Sequence, residues 1–181
     1  MNSETYTQFV NRTSRRAGAV GKSPLCYQWA RKLLTDGIKE WQPGRTHTLP
    51  KDTAQILDFG CGKGAPHTQR MGEEGYHILG WDIGPNNPGI SIPPPNRAYD
   101  LVILSNVLNV QPTAEDLTRV LSEAYQHVKP LGYLICNYPR QPRHNWVSDN
   151  KLQELVHKLS SDYIAPGKNI YLVRRPFEDF H

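Results

Sequence analysis

Cysteine is scarce in this sequence and long apolar runs are missing. Among 181 residues only Cys26, Cys61 and Cys136 are cysteine. They are odd in number and far apart, with no C-x-x-C or paired His/Cys spacing, so neither a disulfide framework nor a zinc or other metal site is expected. No run of about 18 apolar residues occurs, which excludes a spanning helix and a membrane partner. The opening Met-Asn-Ser-Glu-Thr-Tyr-Thr-Gln has no apolar centre of the kind a secretory signal needs. At roughly 150 residues per domain the length suits one domain with a real core. The expectation is a cytoplasmic, metal-free globular protein.

Charged residues are only 21% of the chain, and their placement says more than their sum of +4. Residues 1–46 hold eight Lys/Arg against Glu4, Asp36 and Glu40, whereas the remainder holds 13 Lys/Arg and 14 Asp/Glu. The basic excess thus belongs to an N-terminal segment, 1–46, ahead of a near-neutral body, 47–181. Such asymmetry suits a solvated arm or a surface for phosphate-bearing partners, so nucleic acid enters as a possible partner.

Along the chain, residues 1–22 are polar and Arg-rich and read as irregular. Ser23-Pro24 signals a helix over about 24–37, with Ser as N-cap, Pro at the first position and Leu25, Trp29 and Leu33 on its apolar stripe. Residues 42–53 read as a connection. Ala54–Phe59 is a strand that meets a glycine-rich turn, followed by a helix around 65–74 and a strand over Tyr76–Trp81. Prolines crowd residues 84–98, too many for a central strand or a full helix. Further strands are expected at Asp100–Ser105, Tyr133–Asn137 and Lys168–Val173. Helices begin after Thr113, with Asp116 completing a capping box, and after Ser148. Strands alternating with helices predict an α/β fold, a single Rossmann-like doubly wound, mainly parallel sheet. Ligands of such sheets lie beyond the carboxyl ends of the strands, where strand order reverses.

Gly60-Cys-Gly-Lys-Gly-Ala65 stands at that kind of place. Gly60 permits a tight turn, Gly62 leaves room for a ligand against the backbone, and the helix beyond offers unpaired N–H groups to an anion. The spacing also fits a dinucleotide fingerprint, so a nicotinamide-dependent oxidoreductase is one reading. Two carboxylates sharpen the choice. Asp82 ends the next strand, where an acid accepts hydrogen bonds from ribose hydroxyls. Asp58 precedes the glycines, where it would repel a pyrophosphate but attract an ammonium. An adenosine that carries an amino acid explains both acids together.

With these residues in place the sequence resembles the class I S-adenosylmethionine-dependent methyltransferases. The matching stretches are Ile56–Gly64, Gly80-Trp-Asp82, Asp100–Asn106 and Ala124–Ile135, in order. The resemblance implies S-adenosylmethionine as cofactor, with Asp58 serving the amino group and Asp82 the ribose. Gly60, Cys61, Gly62, Lys63 and Gly64 would form the cofactor loop, Ile83 would flank Asp82, and Ser105, Asn106 and Val107 would form the far wall. It departs from the family at residues 84–98, where a third strand and helix usually lie, so that region is expected to be reduced or irregular and the usual adenine-contacting positions are not carried over. Arg12-Thr-Ser-Arg-Arg16, Lys22-Ser-Pro24, Gly80-Trp-Asp82 and Ser105–Val110 are also similar to methyltransferases associated with DNA phosphorothioation.

The methyl acceptor is less legible. Positioning alone supplies much of the acceleration of an in-line transfer, and a base is needed only when the nucleophile sheds a proton. Asn109, Asn137, Tyr138 and His144 are the substrate-side candidates, alongside Asn106. Neither the Asn/Asp-Pro-Pro-aromatic string of amino-methylating DNA enzymes nor a Pro-Cys nucleophile is present. Arg140, Arg143, Arg174 and Arg175 offer a phosphate-facing rim. Nucleic acid and small molecules both stay open as acceptors, as does a methyltransferase-like protein that only binds or regulates.

Overall fold

A computed structural model of the chain describes residues 4–13, 23–41, 44–62, 64–83, 97–138 and 145–177. Helix α1 (Tyr6–Thr13) and helix α2 (Leu25–Leu33) precede a small hairpin, β1 (Ile38–Lys39) and β2 (Thr46–His47). Then come β3 (Gln55–Phe59), α3 (Pro66–Glu73), β4 (His77–Trp81), β5 (Tyr99–Leu104), α4 (Ala114–Gln126), β6 (Val128–Asn137), α5 (Asp149–Leu159), β7 (Tyr163–Gly167) and β8 (Ile170–Arg174). The main sheet has six strands in the order β4-β3-β5-β6-β8-β7. Its first four strands are mutually parallel, and β8 runs antiparallel to both β6 and β7. This is the expected Rossmann-like α/β sheet.

The chain leaves β3 for β4 on one side and returns to β5 on the other. The strand order therefore reverses between β3 and β5, and a crevice opens there beyond their carboxyl ends. Alternation along the strands supplies two cores. Leu57, Phe59, Val102 and Leu104 face α4 and α5. Ile56, Leu101 and Ile103 face the other layer, where Tyr27, Ala30 and Leu33 of α2 and Met71 of α3 pack. Asp58 shares the face of Ile56, so a carboxylate points into an otherwise apolar layer.

Local signals explain the helix starts. The Thr113 hydroxyl accepts the Asp116 N–H at 3.0 Å, and the Ser148 hydroxyl accepts the Lys151 N–H at 3.1 Å. At α2 the cap differs from expectation. Pro24 occupies the N-cap position, and the Ser23 hydroxyl instead accepts from the Arg31 guanidinium at 2.7 Å. The helix ends at Leu33, four residues short of Gly37, and its buried face is Cys26, Tyr27, Ala30 and Leu33 rather than the Leu25–Trp29 stripe.

Four other expectations are corrected. Residues 6–13 are helical, and Tyr6 shows why a short polar segment holds that form: its hydroxyl donates to Gln111 and its ring lies 4.9 Å under the Arg119 guanidinium. Within 42–53 lies strand β2. The strand expected at Tyr133–Asn137 starts earlier, so that Lys129–Gly132 lie inside β6: after Val128 pairs with Tyr99 the ladder shifts and resumes at Tyr133 with Leu101, Leu131 taking φ 68°. Strand β7 falls where no element is expected, and it contains Pro166, which a sheet tolerates at an edge. Of the Pro-rich interval, 84–96 lies outside the described residues, and among those described β4 forms an edge. No helix among the described residues is long and apolar enough to cross a membrane. None of their His, Cys, Asp and Glu side chains gather in threes that would hold a metal ion.

Candidate functional site

The crevice at the strand reversal holds a cavity of about 350 Å³. Its floor is the turn after β3, its sides are the ends of β4 and β5, and its far end reaches Tyr6, Gln111, Arg119 and Glu123. Volume and position both suit a small-molecule site.

Gly60 carries the chain out of β3 at φ 90°, and a β-carbon there would stand 2.6 Å from Val107 Cγ2. Only glycine fits that approach. The N–H groups of Gly60 and Cys61 both donate to the Trp81 carbonyl, at 2.7 and 3.0 Å, which ties the turn to the end of β4. Gly62, at φ 78°, has nothing within 4 Å of where a β-carbon would stand, so its backbone faces open space. Its N–H donates to Asp82 Oδ2 at 2.7 Å, and this half-buried carboxylate lines the cavity. Ala65 takes the left-handed conformation (φ 45°) and Pro66 starts α3 without an N–H of its own.

Asp58 does not line the cavity. It is fully buried behind Tyr27, which does. The Tyr27 hydroxyl lies 2.8 and 3.0 Å from its two oxygens, and the Thr68 hydroxyl donates to Oδ2 at 2.6 Å. Burial pushes the Asp58 carboxyl up to about 6, against the opposing pull of those two hydroxyls. Burial likewise holds the Tyr27 hydroxyl and the Cys61 thiol well above their usual values.

The other expected cofactor residues gather here: Gly60, Cys61, Gly62, Asp82, Ile83, Ser105, Asn106 and Val107 all line the cavity. Gly64 is exposed beside the turn, and Lys63 lies outside the described residues. The substrate-side candidates are more scattered. Asn137 stands behind Asn106, accepting the Asn106 N–H at 2.7 Å while its own amide donates to Asn106 Oδ1 at 2.7 Å. The Asn109 side-chain oxygen is buried without a partner, away from the cavity wall. Tyr138 is buried, and its hydroxyl packs against the Asn145 amide and the Val147 carbonyl. Burial raises that phenol to about 12. His144, Arg140 and Arg143 lie outside the described residues. Arg175 spends one guanidinium nitrogen on the Val128 carbonyl at 2.7 Å, and Arg174 lies 3.9 Å from Asp162.

Sequence reasoning missed Tyr27, His67, Tyr6 and Arg119. Their signal is tertiary. Each sits on a helix whose rotation or docking decides whether it reaches the cavity.

A family model described as a methyltransferase domain matches residues 29–168. No curated relative matches the chain. Among solved structures it is similar to a TehB-like S-adenosylmethionine-dependent methyltransferase from Corynebacterium glutamicum, at 15% identity over 93% of this chain and 96% of that one, with TM-score 0.58. An amino pentose methyltransferase from Micromonospora echinaspora, with S-adenosylmethionine bound, aligns at 16% identity over 97% and 100%, TM-score 0.58. Magnesium protoporphyrin IX methyltransferase from Synechocystis aligns at 16% identity over 94% and 93%, TM-score 0.54. Parallel sheet, glycine turn and strand-end carboxylate thus coincide with a family match over most of the sequence, and the chain belongs to the methyltransferase domain family.

Proposed function

We propose that the protein is an S-adenosylmethionine-dependent methyltransferase that acts on a small molecule. The observation that carries the reading is the pairing of an open glycine backbone at Gly62 with the Asp82 carboxylate beside it, at the strand reversal. When bound, the cofactor supplies a methyl group activated by a sulfonium. The residues present fit it: Asp82 accepts from ribose hydroxyls, Gly60 and Gly62 allow close approach, and Ser105 and Asn106 close the opposite wall. Tyr27 and Asp58 would form an acceptor pair for an ammonium, Tyr27 lining the cavity and the buried carboxylate polarising its hydroxyl. A pyrophosphate would meet repulsion at that same place, which favours this reading over the nicotinamide one.

A small acceptor is supported by how three of the eight cations of the basic segment use their charge. Arg31 pairs with Glu74 at 2.8 Å, Arg45 with Glu40 and Asp162 at 2.9 and 2.7 Å, and Lys32 lies over the Trp29 ring. Those cations are committed within the fold rather than offered to phosphates. The three structural relatives above act on an amino pentose, a porphyrin or an acceptor their descriptions leave unspecified, and none concerns DNA phosphorothioation.

Titration calorimetry with S-adenosylhomocysteine and with NADH tests the cofactor. The expected result is selective binding of the first in the micromolar range, about −8 kcal/mol. Binding of NADH alone would replace the methyltransferase reading with the oxidoreductase one, and binding of neither would leave a fold kept for interaction. Binding of duplex DNA that weakens steeply with salt would overturn the small-molecule acceptor.

A further inference from the structure

We propose that His67 accepts the proton released by the methyl acceptor, which makes that acceptor a protic nucleophile, a hydroxyl or an amine. The inference rests on the cofactor reading above and concerns a residue that reading leaves unused. His67 is the second residue of α3, directly behind the glycine turn, and lies on the wall of the same cavity. Its ring packs against Tyr27 at a tilt of 30°, with centroids 4.9 Å apart. It is only 9% exposed, and its Nε2 has no hydrogen-bond partner. A buried polar atom without a partner is costly and points to a functional use of the group.

Position follows from the two carboxylates. Asp82 marks the ribose end of the cofactor and Tyr27 over Asp58 marks its amino-acid end. A bound cofactor would carry its sulfur between those ends, on the stretch of cavity wall that Gly60, Gly62, Tyr27 and His67 border. Few groups on that stretch can take a proton. The Tyr27 hydroxyl is spent on Asp58, and the Asn106 amide is locked to Asn137. Asp82 is engaged by the Gly62 N–H and is reserved for ribose. The Cys61 thiol is held protonated by burial. His67 has the right chemistry: burial first, then the Arg70 and Arg31 cations, lowers its pKa below the usual imidazole value, so the ring is neutral near pH 7.

The step balances simply. The acceptor oxygen or nitrogen forms the bond to the methyl carbon, and the carbon–sulfur bond breaks with its electron pair moving to sulfur. The acceptor's proton passes to an imidazole nitrogen of His67 and from there to solvent.

The test uses two probes on the whole protein. One is S-adenosylhomocysteine. The other is sinefungin, in which an amine-bearing carbon replaces sulfur and puts an ammonium where the methyl departs. The wild type is expected to bind sinefungin about tenfold more tightly, a difference of about 1.4 kcal/mol. His67→Ala and His67→Phe, the latter keeping a ring against Tyr27, are expected to erase that preference, weakening sinefungin about tenfold more than S-adenosylhomocysteine. On the wild type alone, the His67 ring nitrogens are expected to shift in NMR with sinefungin and not with S-adenosylhomocysteine, a readout independent of whether the variants fold. Equal weakening of both ligands would overturn the proposal by assigning His67 to the amino-acid end. So would an absent preference in the wild type, or one that survives both substitutions. Failure of the wild type to bind either probe overturns instead the cofactor reading beneath it.

Discussion

The hydroxyl of Tyr27 on α2 stands 2.8 Å from the carboxylate of Asp58 near the end of β3, and Tyr27 lines the cavity that the buried acid does not reach. A side chain from the N-terminal layer thus completes a site whose other parts come from the strand ends. Removing the hydroxyl leaves Asp58 with Thr68 as its remaining side-chain donor. Tyr27→Phe is expected to cost about 1–3 kcal/mol in urea unfolding at pH 8, the range for a buried group that loses a partner. The cost should shrink at pH 5, where a protonated carboxyl is the stable form.

Asp58 also predicts a pH dependence. Its folded pKa of about 6 lies above the 3.8 of an exposed carboxyl, so between those values the folded state holds more protons than the unfolded state. Stability of the ligand-free protein should therefore fall as pH rises from about 4 to 6, by about 3 kcal/mol if this group acted alone. Asp58→Asn should flatten that slope in a series of melts. Affinity for S-adenosylhomocysteine should move the opposite way in the wild type, rising as the carboxylate ionises through pH 6.

The ribose and ammonium assignments separate with a truncated ligand. 5′-Methylthioadenosine keeps the ribose but lacks the amino acid. Asp82→Ala is expected to weaken it and S-adenosylhomocysteine alike, by about tenfold or about 1.4 kcal/mol. Asp58→Asn should weaken S-adenosylhomocysteine alone. Calorimetry that shows Asp82→Ala binding both ligands normally would remove the ribose from Asp82.

Two glycines of one turn should answer differently to the same methyl group. Gly60→Ala drives a β-carbon to 2.6 Å from Val107 at a positive φ, and is expected to destabilise the fold by about 2–3 kcal/mol. Gly62→Ala meets open space and bears the conformational strain alone, about 1 kcal/mol, while its methyl enters the room a ligand needs. Denaturation should separate the first variant from wild type, and ligand titration the second.

The strands flanking the site were legible because β3 and β5 are buried on both faces and read as short apolar runs closed by Gly60 and Ser105. Both capped helices were legible for the same local reason, since Thr113 and Ser148 act within their own first turns. What stayed hidden depends on distant partners. The rotation of α2 is set by the sheet beneath it, so Tyr27 passed unnoticed between Leu25 and Trp29. Helix α1 takes its support from Gln111 and Arg119, more than 100 residues away. Strand β7 carries a proline, and that is compatible with pairing only once its edge position is known.

The reciprocal amides of Asn106 and Asn137 bind the tips of β5 and β6 into one unit. On that side the mouth of the cavity is a fixed jamb: a shift of one tip drags the other, and the positive φ of Asn106 keeps its backbone turned toward its neighbour. The opposite side is built from single side chains, Tyr6 and Tyr27, carried on separate helices. Adaptation to ligands of different shape is therefore expected on the helical side, while the strand side keeps its form.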